Sequence, residues 1–267
     1  MIKTNEIYNE DCLVTMNKMN DNFIDLTVTS PPYSNLRNYK GYSFDFESIA
    51  KELFRVTKLG GVVVWVVGDA TIKGSETGTS FRQALYFKEI GFHLHDTMIY
   101  SKKYPVPSGP RKRYWQQFEY MFVLTKSNPT TFNAIQEKCK QTGRIPYSKF
   151  RYPDGSTKLQ NSIKPVKETK VKGNVWLYDV GYMKSTRDKI AFQIPAIFPE
   201  RLVEDHIVSW SNEGDVVYDP LAGSGTTGIM AFKNKRNFIL SEISKEYCDI
   251  ISKRFLDRFN VNIDVVK

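Results

Sequence analysis

Near its C-terminal end the chain runs from the short apolar strand Asp215-Val216-Val217-Tyr218 into Asp219-Pro220-Leu221-Ala222-Gly223-Ser224-Gly225-Thr226-Thr227-Gly228. Ile229 to Phe232 predict a helix directly after this turn, and Asn237 to Leu240 predict a second strand that delivers Glu242. Strand, glycine turn and helix together open a doubly wound α/β unit, because glycine allows the sharp turn and the close packing of helix on strand. Gly223, Gly225 and Gly228 spell GxGxxG, with an acidic residue 14 positions beyond the last glycine. Position constrains the fold more than the motif does. Only 25 residues follow Glu242, so the rest of the sheet must come from upstream, the reverse of the order in a nicotinamide dehydrogenase.

The upstream pattern supplies those strands. Phe23 to Thr29 reads as a strand, and Asp45 to Thr57 has helical periodicity through Phe46, Ile49, Ala50, Leu53, Phe54 and Val56. Gly60-Gly61 then turns the chain into Val62 to Val67, a run apolar on both faces, as expected of a central strand covered by helices on both sides. Phe81 to Ile90 predicts a helix stopped by Gly91. Phe92 to Tyr100 and Phe118 to Leu124 predict an antiparallel pair near the end of the sheet, and Pro199 to Trp210 another helix. The expected fold is α/β. At 267 residues, 41% hydrophobic and 25% charged, the chain has the composition of a globular protein with a sizeable core. No apolar run approaches the roughly 18 residues of a membrane span and no signal-peptide core follows Met1, so a cytoplasmic location away from membranes is expected. Cys12, Cys139 and Cys248 are scattered, with no CxxC spacing, and indicate neither a disulfide framework nor a metal site.

Charge is unevenly spread. Residues 101 to 190 hold 19 of the 38 Lys and Arg but 6 of the 29 Asp and Glu, a net +13 against −4 for everything else. Tyr104, Tyr114, Trp115, Tyr147, Phe150, Tyr152, Trp176 and Tyr182 are interleaved with these cations. Cations neutralise phosphates while rings stack on bases, so the composition suits a nucleic acid. From Ser127 to Asp188 the periodicity fades and Lys, Pro, Gly and Ser accumulate. The chain therefore divides into a catalytic domain of 1–126 with 189–267 and a small basic module of 127–188.

The strand at Phe23 ends in Val28-Thr29-Ser30-Pro31-Pro32-Tyr33. Two prolines fix two φ angles and present the Ser30 and Pro31 carbonyls and the Tyr33 ring with little freedom. The turn serves either as a rigid strand stop or as a grip for a flat polar group. At the other end of the chain, a glycine loop with an acid beyond it, out of dinucleotide order, calls for a ligand with a ribose but no pyrophosphate. S-adenosylmethionine has that chemistry.

Taken together, "TSPPY" near the start, "FPERL" at 198–202 and "DPLAGSGTT" from Asp219 resemble the β-class DNA amino-methyltransferases, whose catalytic motif precedes the cofactor motif. The resemblance spans nearly the whole chain outside the basic module. It implies a Rossmann-like S-adenosylmethionine-dependent methyltransferase sheet, circularly permuted, with its first segment beside the strand that ends at Glu242. By the same resemblance the cofactor would be bound by Asp11, Cys12, Phe198, Pro199, Leu202, Asp219, Pro220, Leu221, Ala222, Gly223, Ser224, Gly225, Thr226, Thr227 and Glu242. Asp219 would stand near the methionine ammonium group, Glu242 at the ribose hydroxyls and Asp11 at the adenine amino group. Asp11 as a helix cap and Glu242 as a surface acid are the structural alternatives. Leu221 stands where the family commonly has Phe, and Gln193 where it often has His; neither change removes a required charge.

Ser30, Pro31, Pro32 and Tyr33 would form the catalytic turn, accepting the amino hydrogens of a flipped base and stacking on its ring. In the family, Ser before Pro-Pro-Tyr usually accompanies cytosine N4 and Asp or Asn adenine N6, so N4-cytosine is expected, with adenine N6 as the alternative. The basic module would be the target-recognition region on double-stranded DNA, with Arg111, Lys112 and Arg113 lining the DNA cleft and Arg144, Lys149 and Arg151 approaching the grooves. A cognate restriction endonuclease is the further partner the resemblance suggests. The same chemistry on RNA and a non-catalytic nucleic-acid-binding module are the competing functions.

Overall fold

The computed structural model describes residues 2–32, 44–104, 112–145, 147–161 and 164–267. They form two compact units, Met1–Asn133 with Asn174–Lys267, and Ala134–Gly173. The large unit is built on a sheet with nine strands among the described residues: β1 (Glu6–Tyr8), β2 (Ile24–Thr29), β3 (Thr57–Val67), β4 (His93–Lys102), β5 (Phe118–Thr125), β6 (Val175–Tyr178), β7 (Val216–Asp219), β8 (Asn237–Ser241) and β9 (Val265–Val266). Their order across the sheet is β6-β4-β5-β3-β2-β7-β8-β1-β9. Every neighbouring pair is parallel except the two that involve β5, which runs against β3 and β4.

The apolar run Val62–Val67 occupies the C-terminal half of β3 and is buried throughout. It is a strand with no wet face, as its lack of alternation requires. The helices are α1 (Cys12–Asn17), α2 (Phe46–Val56), α3 (Thr79–Glu89), α4 (Glu200–Trp210), α5 (Thr226–Lys233) and α6 (Lys245–Phe259). In α2, Ile49, Ala50, Leu53 and Val56 form the buried stripe that the spacing predicts, and Asp45 caps the first turn by accepting from Ser48 N at 3.2 Å. Trp65, Phe87, Phe92 and Phe122 extend the core on that side of the sheet.

The permuted order is visible in the register. Glu6, Ile7 and Tyr8 pair in parallel with Ile239, Leu240 and Ser241, so the first strand lies beside the one that delivers Glu242. Glu242 N also donates to Tyr8 O at 3.0 Å, and Asn9 Nδ2 to Glu242 O at 2.9 Å.

The second unit consists of two antiparallel pairs, Gln136–Lys138 with Thr169–Val171 and Tyr147–Arg151 with Thr157–Asn161. None of its described residues is buried, and it carries 10 Lys and Arg against 3 Asp and Glu. It is narrower than the 127–188 module expected from composition. Val175–Tyr178, within that span, is a strand of the main sheet that buries Trp176 and Tyr178. Four residues are too few to show a period, and pairing with β4 is what makes them a strand.

Candidate active site

In a parallel sheet the carboxyl ends of adjacent strands share one edge, and the crevice beyond that edge is where ligands bind. Here β3, β2 and β7 end at Val67, Thr29 and Asp219, and a cleft of about 1390 Å³ opens over them. Ser30, Pro31, Phe198, Pro199, Asp219, Leu221, Ala222, Gly223, Ser224 and Thr226 all line it, so the strand-end turn and the glycine loop face one space. Lys112 and Arg113 line the same cleft. Tyr33 and Arg111 lie outside the described residues.

Asp219 is 2% exposed at the end of β7. Its Oδ1 accepts from Thr29 Oγ1 at 2.7 Å and Leu221 N at 3.1 Å, and its Oδ2 from Thr227 Oγ1 at 2.7 Å. Thr227 Oγ1 also lies 3.1 Å from Val28 O. The last residues of β2 and the glycine turn are thereby cross-linked through one carboxyl. Burial pushes the Asp219 carboxyl up to about 6, against the hydrogen bonds from Thr227, Thr29 and Leu221 that favour its charge.

Glu242, 9% exposed, stands directly behind the loop. Its Oε2 accepts from Gly223 N at 2.9 Å and its Oε1 from Ser244 N at 2.8 Å. Burial, reinforced by the charge of Asp219, pushes this carboxyl up to about 7. Among the described residues neither acid has an ion-pair partner. Two buried carboxyls without a cation, one on the cleft wall and one against its loop, suit a ligand that brings positive charge and hydroxyl groups.

The loop backbone leaves room for that ligand. Gly223 has φ +51°, and a side-chain carbon there would meet nothing nearer than Leu221 O at 4.0 Å. Gly225, at φ +74°, is packed instead: a Cβ would fall 2.6 Å from Ile251 Cγ2. Pro220, Gly225 and Thr227 are buried in the turn and Leu202 is buried in α4; these four shape the cleft from behind its lining.

Asp11 is exposed at the start of α1, where its Oδ1 caps the helix by accepting from Leu13 N at 2.8 Å. Cys12 is buried beside it, and burial together with the Asp11 charge pushes its thiol up to about 12. Burial likewise pushes the Cys248 thiol up to about 12. Both stay protonated near neutral pH and are poor nucleophiles. Arg144, Lys149 and Arg151 are exposed on the second unit, with Arg144 Nη1 donating to Gln141 Oε1 at 2.8 Å.

Three parts of the site are missing from the sequence motifs as read. Thr29 was visible inside "TSPPY", but its bond to Asp219 depends on β2 lying beside β7. Asp69, also on the cleft, accepts from Thr77 Oγ1 at 3.0 Å, Ser80 N at 3.1 Å and the Ser80 hydroxyl, fixing the start of α3. Arg254 of α6 reaches the loop from below, and nothing in its local sequence marks it.

A family model described as DNA methylase matches residues 24–253. The orphan methyltransferase M.BamHII of Bacillus amyloliquefaciens is 59% identical over 234 residues, covering 86% of this chain and 88% of that protein. Among solved structures, the PvuII DNA methyltransferase, cytosine-N4-specific, superposes with a TM-score of 0.70 at 21% identity, over 95% of this chain and 86% of that one. TTHA0409 of Thermus thermophilus, a DNA modification methylase by description and solved in complex with S-adenosyl-L-methionine, gives 0.67 at 21% identity over 98% of both chains. With the Ser-Pro-Pro turn ahead of the glycine loop in the chain and beside it in the fold, the chain belongs to the DNA methylase family, as a β-class amino-methyltransferase of the N4/N6 type.

Proposed function

We propose that this DNA methyltransferase uses S-adenosylmethionine to methylate the N4 amino group of a cytosine flipped out of double-stranded DNA. The observation that carries the proposal is the shared cleft: Ser30 and Pro31 face the same space as a glycine loop held between two buried carboxyls that lack cations. The cofactor's chemistry matches that donor set, with an ammonium group for Asp219, a ribose diol for Glu242 and an adenine amino group for Asp11. When bound, it supplies a methyl group on a sulfonium.

The chain's own residues have three tasks. Asp219 and Glu242 hold the cofactor's polar ends, with Thr29 and Thr227 fixing the orientation of Asp219. The Ser30 hydroxyl and the Pro31 carbonyl accept the hydrogens of the target amine and draw its nitrogen away from planarity, freeing the lone pair for in-line attack; Tyr33 stacks on the base. Water is kept from the reacting atoms by the apolar wall of Phe198, Pro199 and Leu221. No covalent enzyme intermediate is needed, consistent with the raised thiols of Cys12 and Cys248. Ser30 ahead of Pro-Pro-Tyr supports cytosine over adenine. Lys112 and Arg113 would meet phosphates at the cleft, and the basic second unit, with Arg144, Lys149 and Arg151, would read the target.

The test is mass spectrometry of nucleosides from DNA of diverse sequence incubated with the protein and methyl-labelled S-adenosylmethionine. N4-methylcytosine is expected. N6-methyladenine would overturn the base assignment while keeping the chemistry. No methylated nucleoside would overturn methyl transfer to DNA and move the test to RNA.

A further inference from the structure

Arg254 is 1% exposed in α6, and three segments that are separate in sequence meet on its guanidinium. Nε donates to Asp188 Oδ2 at 2.9 Å, and Nη2 donates to Glu200 Oε1 at 2.9 Å and to Thr186 Oγ1 at 3.4 Å. Nη1 donates to the Ser224 carbonyl and to Thr226 Oγ1, the latter at 3.3 Å. One helical turn further on, Arg258 forms a two-pronged pair with Glu200, 2.8 Å on each arm, and Glu200 also accepts from Thr186 Oγ1 at 2.6 Å.

A buried network of two arginines and two carboxylates adds little stability over well-packed apolar residues, because desolvation offsets most of the attraction. What it does provide is fixed geometry. The guanidinium is planar, with five N–H groups in set directions, so the distances between the groups it binds cannot drift independently. Those groups are on opposite walls of the cleft described above. Ser224 and Thr226 belong to the glycine loop, and Glu200 directly follows Phe198 and Pro199, which line the other side.

We infer that Arg254 is a positioning residue that sets the width of the cofactor cleft. It holds the glycine loop in register with the Asp188–Glu200 segment, and so governs cofactor affinity without touching the cofactor. The inference rests on the assignment of S-adenosylmethionine to this cleft. It also gives a role to the glutamate of "FPERL", which pairs with both arginines rather than with a ligand.

The experiment compares the full-length wild type with Arg254→Lys and Glu200→Gln. S-adenosylmethionine affinity is measured by calorimetry, kcat at saturating cofactor by methyl transfer, and backbone exposure by hydrogen exchange. Lysine keeps the charge but cannot span three segments. Arg254→Lys is expected to weaken cofactor binding by about 10- to 100-fold, the scale of a displacement near 1 Å, with a much smaller change in kcat. Amides of 222–226 and 186–200 should exchange faster together while β3 keeps its protection. Glu200→Gln should shift the same quantities in the same direction by less, and carries the test if Arg254→Lys fails to fold. Unchanged affinity, or a reduced active fraction with unchanged affinity, would make the arginine merely cohesive and overturn the inference, as would loosening of only one of the two segments. If the wild type itself does not bind S-adenosylmethionine, the cofactor assignment falls, and the paired exchange result still decides whether Arg254 links the two walls.

Discussion

Cofactor affinity should fall steeply as pH drops from 7.5 to 6, and the two buried carboxyls set the size of the effect. In the cofactor-free protein Asp219 titrates at about 6 and Glu242 at about 7, both raised mainly by burial. A cationic ligand with hydroxyl donors binds the form in which both are ionised, so binding must expel whatever protons they hold. At pH 7.5 roughly three-quarters of the molecules have both groups ionised; at pH 6 roughly one in twenty does, a ratio of about 15. The cofactor's own α-amine, near 8 when free, gains its proton over the same range and offsets a little, leaving a net loss of about tenfold. At pH 6.5 binding should release about one proton. Calorimetry in buffers of different ionisation enthalpy measures both the affinity and the proton count. Glu242→Gln removes the higher of the two titrations and should reduce the pH effect to about twofold or less. An affinity that is flat or rises toward pH 6, proton uptake on binding, or an unaltered pH profile in Glu242→Gln would refute the reasoning. The sign for stability is opposite. A carboxyl raised in the folded state takes up protons before the unfolded chain does, so the cofactor-free fold gains stability from these two groups as pH falls through about 7 and 6.

Ser30→Ala should lower kcat by about 10²- to 10³-fold, the scale for loss of one placed hydrogen-bonding group, with cofactor affinity unchanged; lost affinity in calorimetry would mean the turn is structural. Lys112→Glu should weaken DNA binding and flatten its salt dependence by about one counterion or more, and an unchanged slope in a fluorescence titration would place the DNA elsewhere. Arg113 is the poorer probe, because it also holds Glu76 at 3.4 Å and the Gly74 carbonyl. Gly225→Ala puts a methyl 2.6 Å from Ile251 at φ +74° and should cost about 1–3 kcal/mol in urea unfolding; a loss below about 0.5 kcal/mol would show that α6 moves aside freely.

Much of this protein was legible without coordinates, for identifiable reasons. A central strand announces itself when no residue in the run can face water, as in Val62–Val67, and a glycine turn when its neighbours would clash, as at Gly225 against Ile251. The permuted placement of the first strand followed from the resemblance and is borne out by the pairing of Tyr8 with Ser241. The limits of the basic module were not legible, since β6 has four residues and exists only through β4. Asp11 shows a local role, the cap of α1, that its motif could not separate from a ligand role.

The sequence by itself determined the class of sheet, the chain order of its two motifs and the chemistry each can perform, because periodicity, glycine and proline act within a few residues. Tertiary structure alone decided which side chains share a space. The bond from Thr29 to Asp219 joins residues 190 positions apart, and the contact of Arg254 with Asp188 spans 66. Such pairs leave no local pattern: their partners are set by which strands lie side by side, and the raised carboxyls of Asp219 and Glu242 arise from burial that only the assembled core imposes.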